Sequence, residues 1–128
     1  MKIKALEHLT LPWPPSVNGY WRSIQRGKYA TQILSQRARE YQALVKSIVG
    51  FRPLATRHTG RLRVAIILHP PTRRKVDLDN FNKGLLDSLT KAGVWEDDSQ
   101  IDDLRIIRGE IIKGGRAAVT IEEIKCES

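Results

Sequence analysis

The stretch from Leu62 to Gly93 constrains the fold more than any other part of the chain. It begins with the run Leu62 to Leu68, whose β-branched residues predict a buried strand, and Pro70-Pro71 ends that run. The period then changes. Leu78, Phe81, Leu85, Leu89 and Ala92 recur at intervals of three and four, which predicts an amphipathic helix over roughly Leu78 to Ala92 with Gly93 as its C-terminal cap. A strand followed at once by a helix needs further strands to cover the apolar stripe, and the flanking sequence offers them. Ala5 to Leu11 alternates loosely before Pro12, Pro14 and Pro15 impose a rigid loop. Tyr20 to Thr31 reads as a hairpin turning at Gly27. Ala38, Tyr41, Leu44, Val45 and Ile48 mark a helix over Ser35 to Val49, closed by Gly50. Phe51 to Gly60 reads as a surface connection. Leu104 to Ile112 and Ala117 to Ile124 read as a terminal hairpin about Lys113-Gly114-Gly115-Arg116. The expected fold is α+β, a single domain over residues 1–128 with a mixed β-sheet flanked by helices. The chain has the usual length for one core of this kind.

Charge narrows the function. Twenty-two Lys and Arg against fourteen Asp and Glu give a formal net charge of +8, so the field of the molecule attracts anions, nucleic acid first among them. Against this background the segment Thr72 to Asp103 concentrates acid. Carboxylates crowded together repel unless a divalent cation neutralises them, and the hard oxygen ligands that hold such a cation leave room for phosphate. That combination points to a metal-dependent enzyme acting on a polyanion.

Asp77 and Asp79 lie two apart between the proline-terminated strand and the helix start, so an extended backbone would aim both carboxylates to one side, where they can share an ion. Asp79 has a plainer alternative as a helix N-cap. Lys83 follows one turn later on the same helix face, where an ammonium can meet a phosphate oxygen or form an ordinary i,i+4 ion pair with Asp79 or Asp87. The turn Glu96-Asp97-Asp98 after Gly93 can return a third carboxylate toward the first two, or be only a solvated turn. Three converging acids would hold Mg2+, with Mn2+ as the alternative, one of whose waters can serve as nucleophile. Asp87, Asp102 and Asp103 read as bystanders.

Arg73, Arg74 and Lys75 adjoin the acids and are expected to grip a phosphodiester backbone. The loop after the prolines carries Asn18 and Arg22 as further DNA contacts. Tyr20 and Trp21, close to Arg22, Arg26 and Lys28, form a mixture suited to stacking on bases, while Trp13 reads as core. His8, His58 and His69 share no ligand spacing, and Cys126 is alone, so neither a zinc site nor a disulfide is expected. The sequence has no GxxxxGK[ST] loop, so no NTP is expected. It also has no apolar run of membrane-spanning length and no apolar centre of a secretion signal at its start. A cytoplasmic protein without membrane partners is the expectation.

Taken together, the segments Leu11-Pro12-Trp13-Pro14-Pro15-Ser16-Val17-Asn18, Asp77-Leu78-Asp79-Asn80, Lys83, Leu86-Asp87-Ser88-Leu89, Ala92-Gly93-Val94-Trp95, Asp97-Asp98 and Lys113-Gly114-Gly115-Arg116 resemble the RusA family of Holliday junction resolvases. The resemblance runs from about Leu9 to Ile124. It implies that Asp77, Asp79 and Asp98 are the metal-binding carboxylates, that Lys83 is the catalytic lysine and that Asn80 supports them. It implies further a homodimer that binds four-way junction DNA and makes paired, symmetric, Mg2+-dependent cuts in recombination and repair. Val76 departs from the family pattern, which often has a basic residue just before the first Asp. The rival readings are a flap- or fork-selective metal-dependent nuclease and a non-catalytic basic DNA-binding protein.

Overall fold

The computed structural model describes residues 2–51 and 57–125. The middle of the expected Phe51 to Gly60 connection and Cys126 lie outside the described residues. The elements are β1 (Lys2–Leu11), α1 (Val17–Tyr20), β2 (Trp21–Arg26), β3 (Tyr29–Leu34), α2 (Gln36–Gly50), β4 (Arg61–His69), α3 (Asp79–Lys91), a single 3-10 turn (Asp98–Gln100), β5 (Ile101–Arg108) and β6 (Arg116–Lys125). The main sheet has the order β1-β6-β4-β5, with β5 parallel to β4 and the other pairs antiparallel. The α+β expectation and the mixed sheet are thus what the chain forms. Among the described residues, no helix is long and apolar enough to cross a membrane.

Alternation along β4 decides which face is covered. Leu62, Val64, Ile66 and Leu68 are wholly buried, whereas Arg63, Ala65 and Ile67 on the opposite face are not. The expected buried strand forms, and it buries one face. Tyr41, Val45 and Val49 of α2 and Phe81, Leu85 and Leu89 of α3 join that inner face in one core with Leu9, Leu11, Val119 and Ile121. Both helices thus cover the same side of the sheet, a two-layer arrangement.

Local chemistry explains the helix ends. Ser35 caps α2 by accepting from the Ala38 amide, 3.1 Å away. Gly50 does not close that helix, because it is itself helical with no positive φ, and Phe51 is the cap. Gly93 does act as foreseen: its φ of +84° lets its own amide reach Thr90 O and the Val94 amide reach Leu89 O. That is a Schellman ending, sealed by the buried Val94 side chain.

The β2–β3 hairpin forms with Arg26 opposite Tyr29 and Gly27 at φ +60° in the turn. The second expected hairpin does not form. Although β5 and β6 run in opposite directions and Gly114-Gly115 supplies a turn, β4 lies between them and takes the ladder hydrogen bonds of both. The connection crosses the end of β4, where the Gly109 amide donates to Leu68 O and the Ile112 amide to Pro70 O. Gly115, at φ +76°, lies so close to Trp13 that a Cβ there would sit 2.7 Å from the Trp13 Cβ.

Candidate functional site

The site is built along the exposed stripe of α3. Asp79, Lys83 and Asp87 follow at intervals of four, so they line one edge of the helix, opposite the stripe that buries Phe81, Leu85 and Leu89. Just before the helix, burial alternates: Val76 and Leu78 pack against the core, and Asp77 and Asp79 face solvent. The backbone differs from the extended form expected there. Leu78 is already right-handed helical (φ −58°, ψ −37°), so the two carboxylates do not share a side by strand alternation. Arg108 at the end of β5 steadies this junction by donating to Val76 O at 2.7 Å, a brace with no signal in the sequence because β5 is distant along the chain.

The plainer roles considered for these residues are not taken up. Asp79 occupies the first turn without capping it, since the cap position is Leu78 and no side chain closes it. Among the described residues, Lys83 forms no ion pair within bonding distance with Asp79 or Asp87. Asn80, half-buried, closes the first turn by donating its backbone N–H to Asp77 O.

Asp98 arrives from the other end of α3, on a turn fixed by buried contacts. Trp95 is wholly buried and donates its indole N–H to Thr90 Oγ1. Gln100 is the keystone. Its Oε1 accepts from the Glu96 and Asp97 amides, both at 2.9 Å, and its Nε2 donates to His58 O at 3.1 Å and Gly60 O at 2.9 Å. His58 is in turn buried between Glu7 and Glu123, with Nε2 2.8 Å from Glu7 and Nδ1 3.2 Å from Glu123. The turn carrying Asp98 is thereby tied through His58 to β1 and β6.

Asp98 is an exposed residue, yet local packing withdraws some water from its carboxyl and raises its pKa. The neighbouring Asp97 raises it further through a shared hydrogen bond and its charge, Asp87 adds to the repulsion, and Lys83 opposes it. Asp97 moves the other way, held low by the Ser99 amide and side chain and then by Asp98. The two neighbouring carboxyls are therefore pushed in opposite directions, Asp97 down and Asp98 up. Asp87, read from sequence as a bystander, is thus electrostatically coupled to Asp98. Its i+4 spacing from Lys83 was the available signal. Asp87 also raises the pKa of Tyr20, whose hydroxyl is pushed up first by burial and is opposed by the hydrogen bond from Gln42.

Asp102 and Asp103 are engaged by arginines of the sheet. Asp102 pairs with Arg61, and Asp103 with Arg63 and Arg105, which hold both carboxyls low. Tyr20 is buried, with Gly84 of α3 packed so tightly that a Cβ there would lie 2.9 Å from its ring, so it cannot stack on a base. Trp13 is partly buried and packs on Phe81, ring centres 4.7 Å apart. Asn18, Arg22, Arg73, Arg74 and Lys75 are all exposed.

Asp98 lies within electrostatic range of Lys83 and Asp87, beside its neighbour Asp97. Among the described residues the structure does not gather Asp77, Asp79 and Asp98, or any other three acid, His or Cys side chains, into one ligand set. The donor chemistry nevertheless suits a hard divalent cation. Every candidate ligand is a carboxylate oxygen, the donor type that such a cation prefers.

A family model described as Endodeoxyribonuclease RusA matches residues 12–122. The chain is 44% identical over 115 residues to the crossover junction endodeoxyribonuclease rusA of Enterobacteria phage HK97, covering 90% of this chain and 92% of that one. It is 42% identical over 117 residues to the protein of the same description from Enterobacteria phage 82, with 91% and 94% covered. A relative from Shigella sonnei, the crossover junction endodeoxyribonuclease RusA, is 41% identical over 116 residues, with 91% and 93% covered.

Proposed function

The chain belongs to the RusA family of endodeoxyribonucleases, and from that premise we propose that it is a Holliday junction resolvase, hydrolysing phosphodiesters of four-way DNA junctions with a divalent cation, Mg2+ or Mn2+. The observation that carries this reading is the family match over residues 12–122, a span that includes Asp77 to Asp98.

Asp77, Asp79 and Asp98 are the residues we assign to the cation, with Asn80 supporting the first two. Support comes from the carboxylates of Asp77 and Asp79, which the helix start leaves uncapped and free of ion pairs among the described residues, and from the crowding of charge at Asp98. When bound, the cation supplies charge neutralisation for the phosphate and activation of the attacking water. The protein's own groups do the rest. Lys83 presents an ammonium beside Asp98 and stabilises negative charge developing on the phosphoryl oxygens. Arg73, Arg74 and Lys75 hold the backbone next to the acids, and Asn18 and Arg22 contact DNA further along. The excess of 22 basic over 14 acidic residues draws the polyanion in and disfavours a basic partner.

Two equivalent strands of a symmetric junction are cut in concert most simply by two copies related by the same twofold axis, and a homodimer is therefore part of the proposal. The test is incubation of a four-way junction with the protein and Mg2+, with and without chelator, beside the Asp79→Asn variant. Paired nicks that require metal are expected, together with an Asp79→Asn protein that binds the junction but does not cut it. Cleavage by Asp79→Asn at the parental rate would refute the assignment, and faster cutting of a flap or fork than of the junction would favour that substrate instead.

A further inference from the structure

Away from the acids, the seam between α2 and α3 holds an open trough of about 340 Å³ lined by Arg39, Gln42, Ala43, Lys46 and Lys91. Three of its five lining residues are cations contributed by two helices, and none of the five is an acid. Among the described residues, Lys46 and Lys91 enter no ion pair. Arg39 is braced instead by donating to Leu34 O at 3.0 Å. Gln42 at the centre is fixed by its 2.6 Å hydrogen bond to the buried Tyr20 hydroxyl. Like charges brought together around a rigid polar floor repel one another, and an anion relieves that repulsion.

The position of the trough identifies the anion. Lys91 lies four residues beyond Asp87, so the stripe Asp79, Lys83, Asp87, Lys91 runs without a break from the candidate cation site into the trough. At about 1.5 Å per residue, Asp79 and Lys91 are separated by about 18 Å along the helix. At about 3.4 Å per base pair, that reach spans about five base pairs of duplex.

We propose that the α2–α3 seam, where Arg39, Lys46 and Lys91 surround Gln42, binds the phosphodiester backbone of a duplex arm of the substrate within about five base pairs of the scissile phosphate. This rests on the nuclease reading for the identity of the substrate, while the anion-binding character of the trough stands on its own residues. The trough contributes affinity and orientation and takes no part in bond breaking.

The test compares the full-length Lys46→Gln/Lys91→Gln variant with an equal-charge control, Arg105→Gln/Lys113→Gln, in which both altered residues are exposed and outside the trough. Lys46 and Lys91 are themselves exposed, and retaining Arg39 preserves its bond to Leu34, so the fold is not at risk. Junction binding is measured across a salt series, and cleavage under single turnover at saturating protein. Each lysine that neutralises a phosphate adds about 0.9 to the slope of log K against log salt, so without the two lysines the slope should become shallower by about two. Binding should weaken about tenfold beyond the control, with the saturated cleavage rate unchanged. A slope and affinity that match those of the control would overturn the proposal. Because the slope is read from binding alone, a parental protein that bound without cutting would refute the nuclease reading and leave the slope comparison to decide the trough.

Discussion

Replacing Gln100 by Leu tests how Asp98 is held. The change keeps size and removes all four hydrogen bonds of the keystone at once. Three of these bonds are partly buried and the fourth, to His58 O, is buried. At about 1 kcal/mol for each partly buried bond and about 1–3 kcal/mol for a buried carbonyl left unsatisfied, the gross loss is about 4–6 kcal/mol. Rehydration of the Glu96 and Asp97 amides, which belong to exposed residues, and the apolar gain from Leu reduce the net destabilisation to about 3 kcal/mol. For a domain of this size that lowers Tm by roughly 12 °C, readable by circular dichroism. Activity should fall further than stability alone explains. A displacement of Asp98 by about 1 Å costs on the order of 100-fold in rate even well below the melting transition. A Gln100→Leu protein that melts within about 2 °C of the parent and cuts at the parental rate would refute this account of the turn.

Acid sensitivity provides a second test. The folded-state pKa of Asp98 is raised, so as pH falls it takes up a proton earlier than an unperturbed Asp would and loses its hold on a cation, and the cleavage rate should fall toward acid pH. Asp97→Asn removes a raising influence and should move this acid limb to lower pH, whereas Lys83→Met removes the lowering one and should move it higher while also cutting the rate by about 100-fold or more. Limbs that fail to move in opposite directions would contradict the arrangement. His58→Ala removes the ring between two buried carboxylates and should destabilise the fold by about 3 kcal/mol or more, measured by urea unfolding. Gly115→Ala combines a positive φ with a clash on Trp13 and should cost about 2 kcal/mol by the same measurement. Addition of chelator should abolish cutting, and Mg2+ or Mn2+ in excess should restore it.

The two long helices were legible because their cores are local patterns: Ala38, Tyr41 and Val45, and Phe81, Leu85 and Leu89, need only helical spacing to declare a buried stripe. The β2–β3 hairpin was legible for the same reason, since Gly27 joins strands adjacent in sequence. The last two strands were misread because Gly114 and Gly115 make the turn a hairpin needs but cannot reveal that β4 lies between β5 and β6. At the site, spacing and family resemblance were enough to propose Asp77, Asp79, Lys83 and Asp98, but not to show how the Glu96-Asp97-Asp98 turn is held. For Asp87 the sequence offered its spacing from Lys83 but no sign of its electrostatic influence on Asp98, which lies beyond the Gly93 turn. Gln100 and His58 were invisible because their partners lie about 40 to 65 positions away along the chain.

The central claim is that acids from the two ends of α3 serve one reaction centre, and Asp98 is the residue on which it turns. Single-turnover cleavage of a four-way junction by Asp98→Asn in Mg2+, beside a gel-shift measurement of the same protein, tests it most directly. The account predicts retained junction binding with a cleavage rate lower by at least about 100-fold. Parental cleavage by that variant would contradict it.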